Sequence, residues 1–221
     1  MSAPHIGIDI DNTIIDYGQV FGPVGEEIAL LRAGHGLRSK AEVKSYLAGG
    51  SRGEEDWMRL QGQVYGRFIG RATMYEGVAE FLRMARQAGA RISLVSHKTR
   101  HGHFDADHVD LWDAAMAWLE NHRFFEAGGF GLERSDVHFR ETRDAKIATI
   151  AKIGCSVFID DLPEVLLHPD FPESVRKIWF AGSEASVGGL EPHRTWKEIA
   201  SSVNRHVFAA RHHNLDGPPH P

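Results

Sequence analysis

The 221-residue sequence predicts an α/β fold, a parallel sheet covered by helices on both faces and carrying a small α-helical insert. Five short apolar runs rich in β-branched residues recur along the chain. Between most of them apolar residues repeat at helical spacing. The third observation is a gap: more than sixty residues between Asp11 and Glu76 hold no convincing strand.

The first run is His5–Ile10 (HIGIDI), which ends in charged residues where a strand gives way to a loop. In the gap that follows, Val43, Tyr46 and Leu47 suggest one helix, and Trp57, Leu60, Val64, Tyr65 and Phe68 a longer one. Residues 16–75 are therefore read as a helical cap inserted after the first strand, with a pair of ordinary crossover helices as the alternative. Val78, Phe81, Leu82 and Ala85 mark the next helix, with Gly89 placed to cap its end. The run Arg91–Ser96 (RISLVS) follows, then a helical stripe of Trp112, Ala115, Met116 and Leu119. Asp136–Phe139 is the third strand, and Ile147, Ile150 and Ala151, closed by Gly154, the helix after it. Ser156–Asp160 (SVFID) and Val175–Ala181 complete the strands. Thr195 with Glu198 reads as a capping box opening a helix along Trp196, Ile199, Val203 and Val207. Residues 1–15 and 76–210 thus form the core, and 211–221, polar and rich in Pro and Gly, a mobile tail whose histidines are read as tail composition. No internal repeat is present.

Strands alternating with helices imply right-handed crossovers. In such sheets ligands bind beyond the carboxyl ends of the strands, near the point where strand order reverses.

Composition narrows the classes of function. Apolar residues make up 42% and charged residues 25%, with a net charge of −5 and no basic stripe, which disfavours nucleic acid as a structural partner. The single cysteine, Cys155, allows no internal disulfide, disfavours a cysteine-based metal site and fits a reducing compartment. Charged residues come too early for a signal peptide, and nowhere do about 18 apolar residues run together. The expectation is a cytoplasmic protein with no membrane span; its oligomeric state is left open.

The chemistry-bearing residues fall at strand ends. Asp9 and Asp11, in Asp9-Ile10-Asp11-Asn12-Thr13, lie two apart and so leave the first strand on the same side. Two such carboxylates repel unless a cation lies between them, and hard ions such as Mg²⁺ prefer oxygen ligands. The plainer reading is a strand ending in a helix-capping acid. The second strand ends in Ser96-His97-Lys98-Thr99, where a hydroxyl followed by backbone N–H groups suits a phosphate oxygen, or simply a turn. Lys146 opens the helix before the fourth strand and is placed to neutralise a phosphate and a neighbouring carboxylate, although taken singly it reads as a solvated surface lysine; Lys152 is its rival. Asp160 and Asp161 end the fourth strand, where adjacent acids are costly unless something such as a metal compensates them; the plainer reading is a polar exit from strand to loop.

Taken in order, these features resemble the four motifs of the haloacid dehalogenase superfamily: a DxDxT strand end, a Ser/Thr strand end, a Lys and a terminal acid pair. The resemblance covers roughly residues 5–17 and 76–182. It implies a Rossmann-like core, Mg²⁺ and phosphoryl transfer. Asp9 matches the nucleophile, Asp11 the acid/base, Thr13 the motif threonine, Ser96 the phosphate hydroxyl, and Asp160 and Asp161 the metal acids. Lys146 matches the third motif, although Ile147 stands where a proline often follows that lysine. Mg²⁺ would then sit among the Asp9 carboxylate, the Asp11 backbone carbonyl and Asp160 or Asp161. The long insert looks like the helical cap of one branch. Asp11, usually missing from true dehalogenases, argues for phosphate over carbon–halogen chemistry.

The implied function is Mg²⁺-dependent hydrolysis of a small phosphorylated metabolite, a sugar phosphate or nucleotide, through an aspartyl-phosphate. Two rivals stand beside it: a phosphotransferase or mutase on the same scaffold, and a catalytically silent binding module. Lys98, Arg100 and His101 in the loop after Ser96 are candidate substrate contacts, with plain loop chemistry as the alternative. Arg52, Arg59, Arg67 and Arg71 of the insert are within the same reading, but most of them read more simply as solvated faces of amphipathic helices. His101, His103 and His108 with Asp105 also allow a zinc reading.

Overall fold

The computed structural model describes residues 3–37, 39–104, 107–182 and 186–208. The expected tail, 211–221, lies outside them, as does Asp105. Contacts divide the chain into two compact units: Met1–Ile14, Tyr75–Ser96 and Leu132–Pro221 form one, Ile15–Met74 and His97–Gly131 the other.

The first unit is built on six strands: β1 (His5–Ile8), β4 (Arg91–His97, whose last residue opens the other unit), β5 (Val137–Arg140), β6 (Val157–Asp160), β7 (Arg176–Phe180) and β8 (Pro192–His193). Their order is β5-β4-β1-β6-β7-β8. β1 runs parallel to β4 and to β6, β6 to β7, and β7 to β8. The chain moves from β1 outward through β4 to β5, then returns to the other side of β1 for β6. This reversal is where an open α/β sheet places its ligand crevice. β1 and β6 are buried along their whole length, which explains why they read as continuous apolar runs. They also approach closely: a Cβ on Gly7 would stand 2.5 Å from the Phe158 ring, so only glycine fits there.

Helices α4 (Val78–Gln87), α6 (Arg143–Ile153), α7 (Pro163–Leu166) and α8 (Trp196–Val203) belong to this unit. α4 buries Val78, Phe81, Leu82 and Ala85, the stripe that its spacing predicts. The Thr142 side chain accepts from the Ala145 N–H to start α6, and Gly154, with φ 62°, ends it. Thr195 caps α8 through the Glu198 N–H, but the Glu198 carboxylate accepts from the Arg194 N–H, so only half of the expected capping box forms as read. The helix stops at Val203 and passes into a π turn, Asn204–Phe208. β8 is a strand that the sequence did not signal, because two residues carry no period.

The second unit contains α1 (Phe21–Glu27), α2 (Lys40–Ala48), α3 (Gly53–Tyr65) and α5 (Leu111–Asn121). α2 starts with a full capping box between Ser39 and Glu42. The gap is not free of strands: β2 (Ile15–Asp16) and β3 (Thr73–Met74) pair antiparallel, with Ile15 opposite Met74. Residues 97–131, which the alternation of elements assigns to the core, group instead with this unit. The Trp118 indole of α5 donates to the Ala72 carbonyl at 3.1 Å, and Gly66 lies against Val109 and Leu111. Spacing shows that a helix has an apolar face and says nothing of what covers it. No helix among the described residues is long and apolar enough to cross a membrane.

Candidate active site

The register of the sheet brings the predicted acids together. Ile8 pairs with Ile159, and the Asp9 N–H donates to the Ile159 carbonyl at 2.9 Å. Asp9 and Asp160 therefore leave neighbouring strands at the same level. Beyond Asp9 the chain turns sharply, with Asn12 at φ 58° and the Ile14 N–H donating to the Ile10 carbonyl. That turn returns Thr13, whose hydroxyl lies 3.1 Å from Asp9 Oδ2 and 3.3 Å from Asp161 Oδ1. The Trp196 indole holds the turn through the Thr13 carbonyl, and the Trp179 indole holds the Asp161 carbonyl, each at 3.0 Å. Neither indole was anticipated; both come from distant segments, and no local pattern marks them.

Lys146 occupies the centre. Its ammonium is fully buried, 2.6 Å from Asp9 Oδ1 and 2.6 Å from Asp160 Oδ2. The first contact is a hydrogen bond; the second is an ion pair whose angles fall outside hydrogen-bond geometry. Asp160 Oδ1 accepts from the Leu162 N–H. Desolvation works against the Lys146 charge, but Asp160 and Asp9 outweigh it and push its pKa up. Burial pushes Asp9 up to about 6; Lys146 pulls the other way, while Asp160 and Asp11 add to the rise. Lys152, the rival lysine, is exposed on the same helix.

Carboxylate oxygens of Asp9, Asp160 and Asp161 lie within 4.8 Å of one another. All donors are hard oxygens, and the buried pair Asp9 and Asp160 already carries one more negative charge than Lys146 neutralises. The set fits a small divalent cation such as Mg²⁺. The Asp11 carboxylate lies outside this triad and accepts instead from the Ser96 hydroxyl at 3.2 Å. Asp9, Asp11, Thr13, Ser96, Lys146, Asp160 and Asp161 all belong to the first unit.

His97 and Lys98 open the second unit. Lys98 is buried, with its ammonium 5.4 Å from the Tyr65 ring centroid and its carbonyl accepting from the Trp112 indole. Arg100 pairs with Asp110 at 2.7 Å, and His101 Nδ1 lies 3.1 Å from the His108 carbonyl. Among the described residues, His101, His103 and His108 form no metal-binding cluster. Cys155 is buried, and burial pushes its thiol up to about 11, which keeps it an inert packing group.

No protein-family model matches the chain, and no curated protein matches it. Solved structures do. A HAD-superfamily hydrolase from Ehrlichia chaffeensis aligns at a TM-score of 0.52 and 13% identity, over 93% of this chain and 98% of that one. A HAD family hydrolase from Deinococcus radiodurans, solved with bound phosphate and sodium, aligns at 0.53 and 15%, over 92% and 96%. The putative HAD-hydrolase YfnB from Bacillus subtilis, solved bound to magnesium, aligns at 0.53 and 11%, over 92% and 100%. At these identities the likeness speaks for the fold. The chain has the Rossmann-like α/β fold of haloacid dehalogenase superfamily hydrolases.

Proposed function

We propose that this protein is a Mg²⁺-dependent phosphomonoester hydrolase, acting in the cytoplasm on a small phosphorylated metabolite, with Asp9 as nucleophile and the second unit as an inserted cap. The single observation that carries the reading is the Lys146 ammonium held between Asp9 and Asp160, with Asp161 in the same cluster. Two buried acids on one lysine, with a third, half-buried acid beside them, are costly to fold, and the cluster suits a site that meets a cation and an anionic substrate.

A bound Mg²⁺ would be held by Asp9, Asp160 and Asp161, with the Asp11 backbone carbonyl, and would supply charge neutralisation on the phosphoryl oxygens. Lys146 lowers the pKa of Asp9 against burial and so favours the ionised nucleophile. Asp9 attacks phosphorus; the new acyl-phosphate bond forms as the ester P–O bond breaks. Asp11 gives its proton to the departing alkoxide, then takes one from the water that attacks the aspartyl-phosphate, which regenerates Asp9 and releases inorganic phosphate. Ser96 donates its hydroxyl to Asp11 and so orients that acid; with substrate bound, the same hydroxyl turns to a phosphate oxygen. Thr13 steadies Asp9 and Asp161.

The test is phosphate release from an aryl phosphate with and without Mg²⁺, run beside a sugar acceptor and a 2-haloacid. Magnesium-dependent release to water supports the reading. Faster transfer to the sugar moves the protein to the phosphotransferases, and halide release moves it to the dehalogenases. Inactivity across a broad panel of phosphate esters leaves the binding module.

A further inference from the structure

The second unit holds a cavity of about 890 Å³, a size suited to a small ligand. One face of α3 contributes Glu55, Arg59 and Gln63, which recur every four residues and so share that face. Gln63 is buried, so a polar amide is held at the wall of the cavity. The turn after α1 contributes Ala29, and the loop before α5 contributes Phe104 and His108.

Backbone conformation sets this cavity apart. Five non-glycine residues among those described have φ in the left-handed region, and three line it: Ala29 at 59°, Phe104 at 59° and His108 at 47°. Such conformations are unfavourable for L residues and concentrate where ligands are clamped. Phe104 is 57% exposed and offers an aromatic ring at the rim.

The charges decide the ligand class. Of the charged groups around the cavity, Glu27 is tied to Arg71 at 2.7 Å, and Arg67 to Asp107 at 3.8 Å. Glu55, half-buried, and Arg59, exposed, stand four apart on α3 and form no ion pair among the described residues. One charge of each sign thus faces the same space, a turn apart, without being spent on the other.

We propose that this cavity binds a small zwitterion of amino-acid type. Its carboxylate meets the Arg59 guanidinium, its ammonium meets the Glu55 carboxylate, and its apolar body lies on the Phe104 ring. The ligand is bound and not cleaved, and none of these residues belongs to the acid cluster around Lys146.

The experiment is calorimetric titration of the full chain, in magnesium, with the apolar and aromatic L-amino acids, beside 3-phenylpropanoate and phenethylamine, which each lack one of the two charges. At least one amino acid should bind tenfold or more tighter than either singly charged relative, about the value of one charge-assisted hydrogen bond. Arg59→Ala and Glu55→Gln should each weaken it by about tenfold, with aryl phosphate hydrolysis retained in Glu55→Gln. Arg59→Gln serves the same purpose if the alanine variant does not fold. Equal binding of 3-phenylpropanoate with no effect of Glu55→Gln describes a plain anion site and overturns the proposal, as does no amino acid binding at all. Amino-acid binding by a wild-type protein that hydrolyses no phosphate ester leaves this proposal standing and counts only against the phosphatase.

Discussion

At the amino end of the sheet His5 is buried between two partners, whereas at the carboxyl end Lys146 is buried between two acids. His5 Nδ1 lies 3.1 Å from the Ile153 carbonyl, so it must be the protonated nitrogen, and Nε2 then accepts from the Ser93 hydroxyl at 2.8 Å. The ring is neutral and both nitrogens are satisfied. Around it, Arg91 pairs with Asp136 at 2.9 Å, and His138 stands near. The other end sets Asp9 and Asp160 on one ammonium with Asp161 beside them, and burial pushes Asp9 up to about 6. Polar burial that serves only the fold ends in mutual satisfaction; the acid cluster keeps like charges together, which folding alone gives no reason to do.

Substitutions separate the two ends. Asp9→Asn should lower kcat by at least about 10⁴-fold, the order seen when a nucleophile is removed. Its denaturant midpoint should hold or rise, because the amide resembles the protonated acid that burial favours. Activity above a few per cent removes Asp9 from its role. Asp11→Asn should cost about 10²–10⁴-fold in rate, the usual worth of acid–base catalysis; a near-normal kcat contradicts the assignment. Lys146→Met should destabilise the fold by about 3–5 kcal/mol in urea titrations, since it leaves buried acids uncompensated. A change below about 1 kcal/mol would mean that the acids titrate to neutrality instead.

Magnesium at about a hundred times its Kd should stabilise the wild type by about 2.7 kcal/mol. The gain should vanish in Asp160→Ala and persist in a variant of the amino end such as Ser93→Ala. Equal shifts in both would place the cation elsewhere.

The smallest effect concerns pH. Burial first, and then the Arg91 charge, hold His5 below its ordinary 6.5. Its folded pKa is depressed, so the stability it contributes is present above about 6.5 and is lost as the pH falls through the lowered value. His5→Gln should flatten that acid limb, by up to about 1.4 kcal/mol for every pH unit that separates the folded from the unfolded titration. An unchanged limb would assign the acid sensitivity to His138, which burial and Arg140 also hold low.

The sheet was legible because buried strands leave continuous runs: HIGI and VFID are buried throughout, and RKIWF over its last three residues, so each carries its assignment in five residues or fewer. The acids were legible because they stand where those runs stop. By itself the sequence determined this much: which residues are buried along each strand, and which charges end it. Only the tertiary structure decided that Ile8 faces Ile159, which sets Asp9 level with Asp160, and that Lys146, 137 positions from Asp9, fills the space between them while Lys152 does not. It also decided that α5 packs beside α3 and that Trp196 and Trp179 brace the two acid turns. The reason is physical: periodicity reports how a segment meets its own neighbours and whether a face is apolar. Register, and the choice among apolar faces of like size, depend on contacts between segments far apart in the chain.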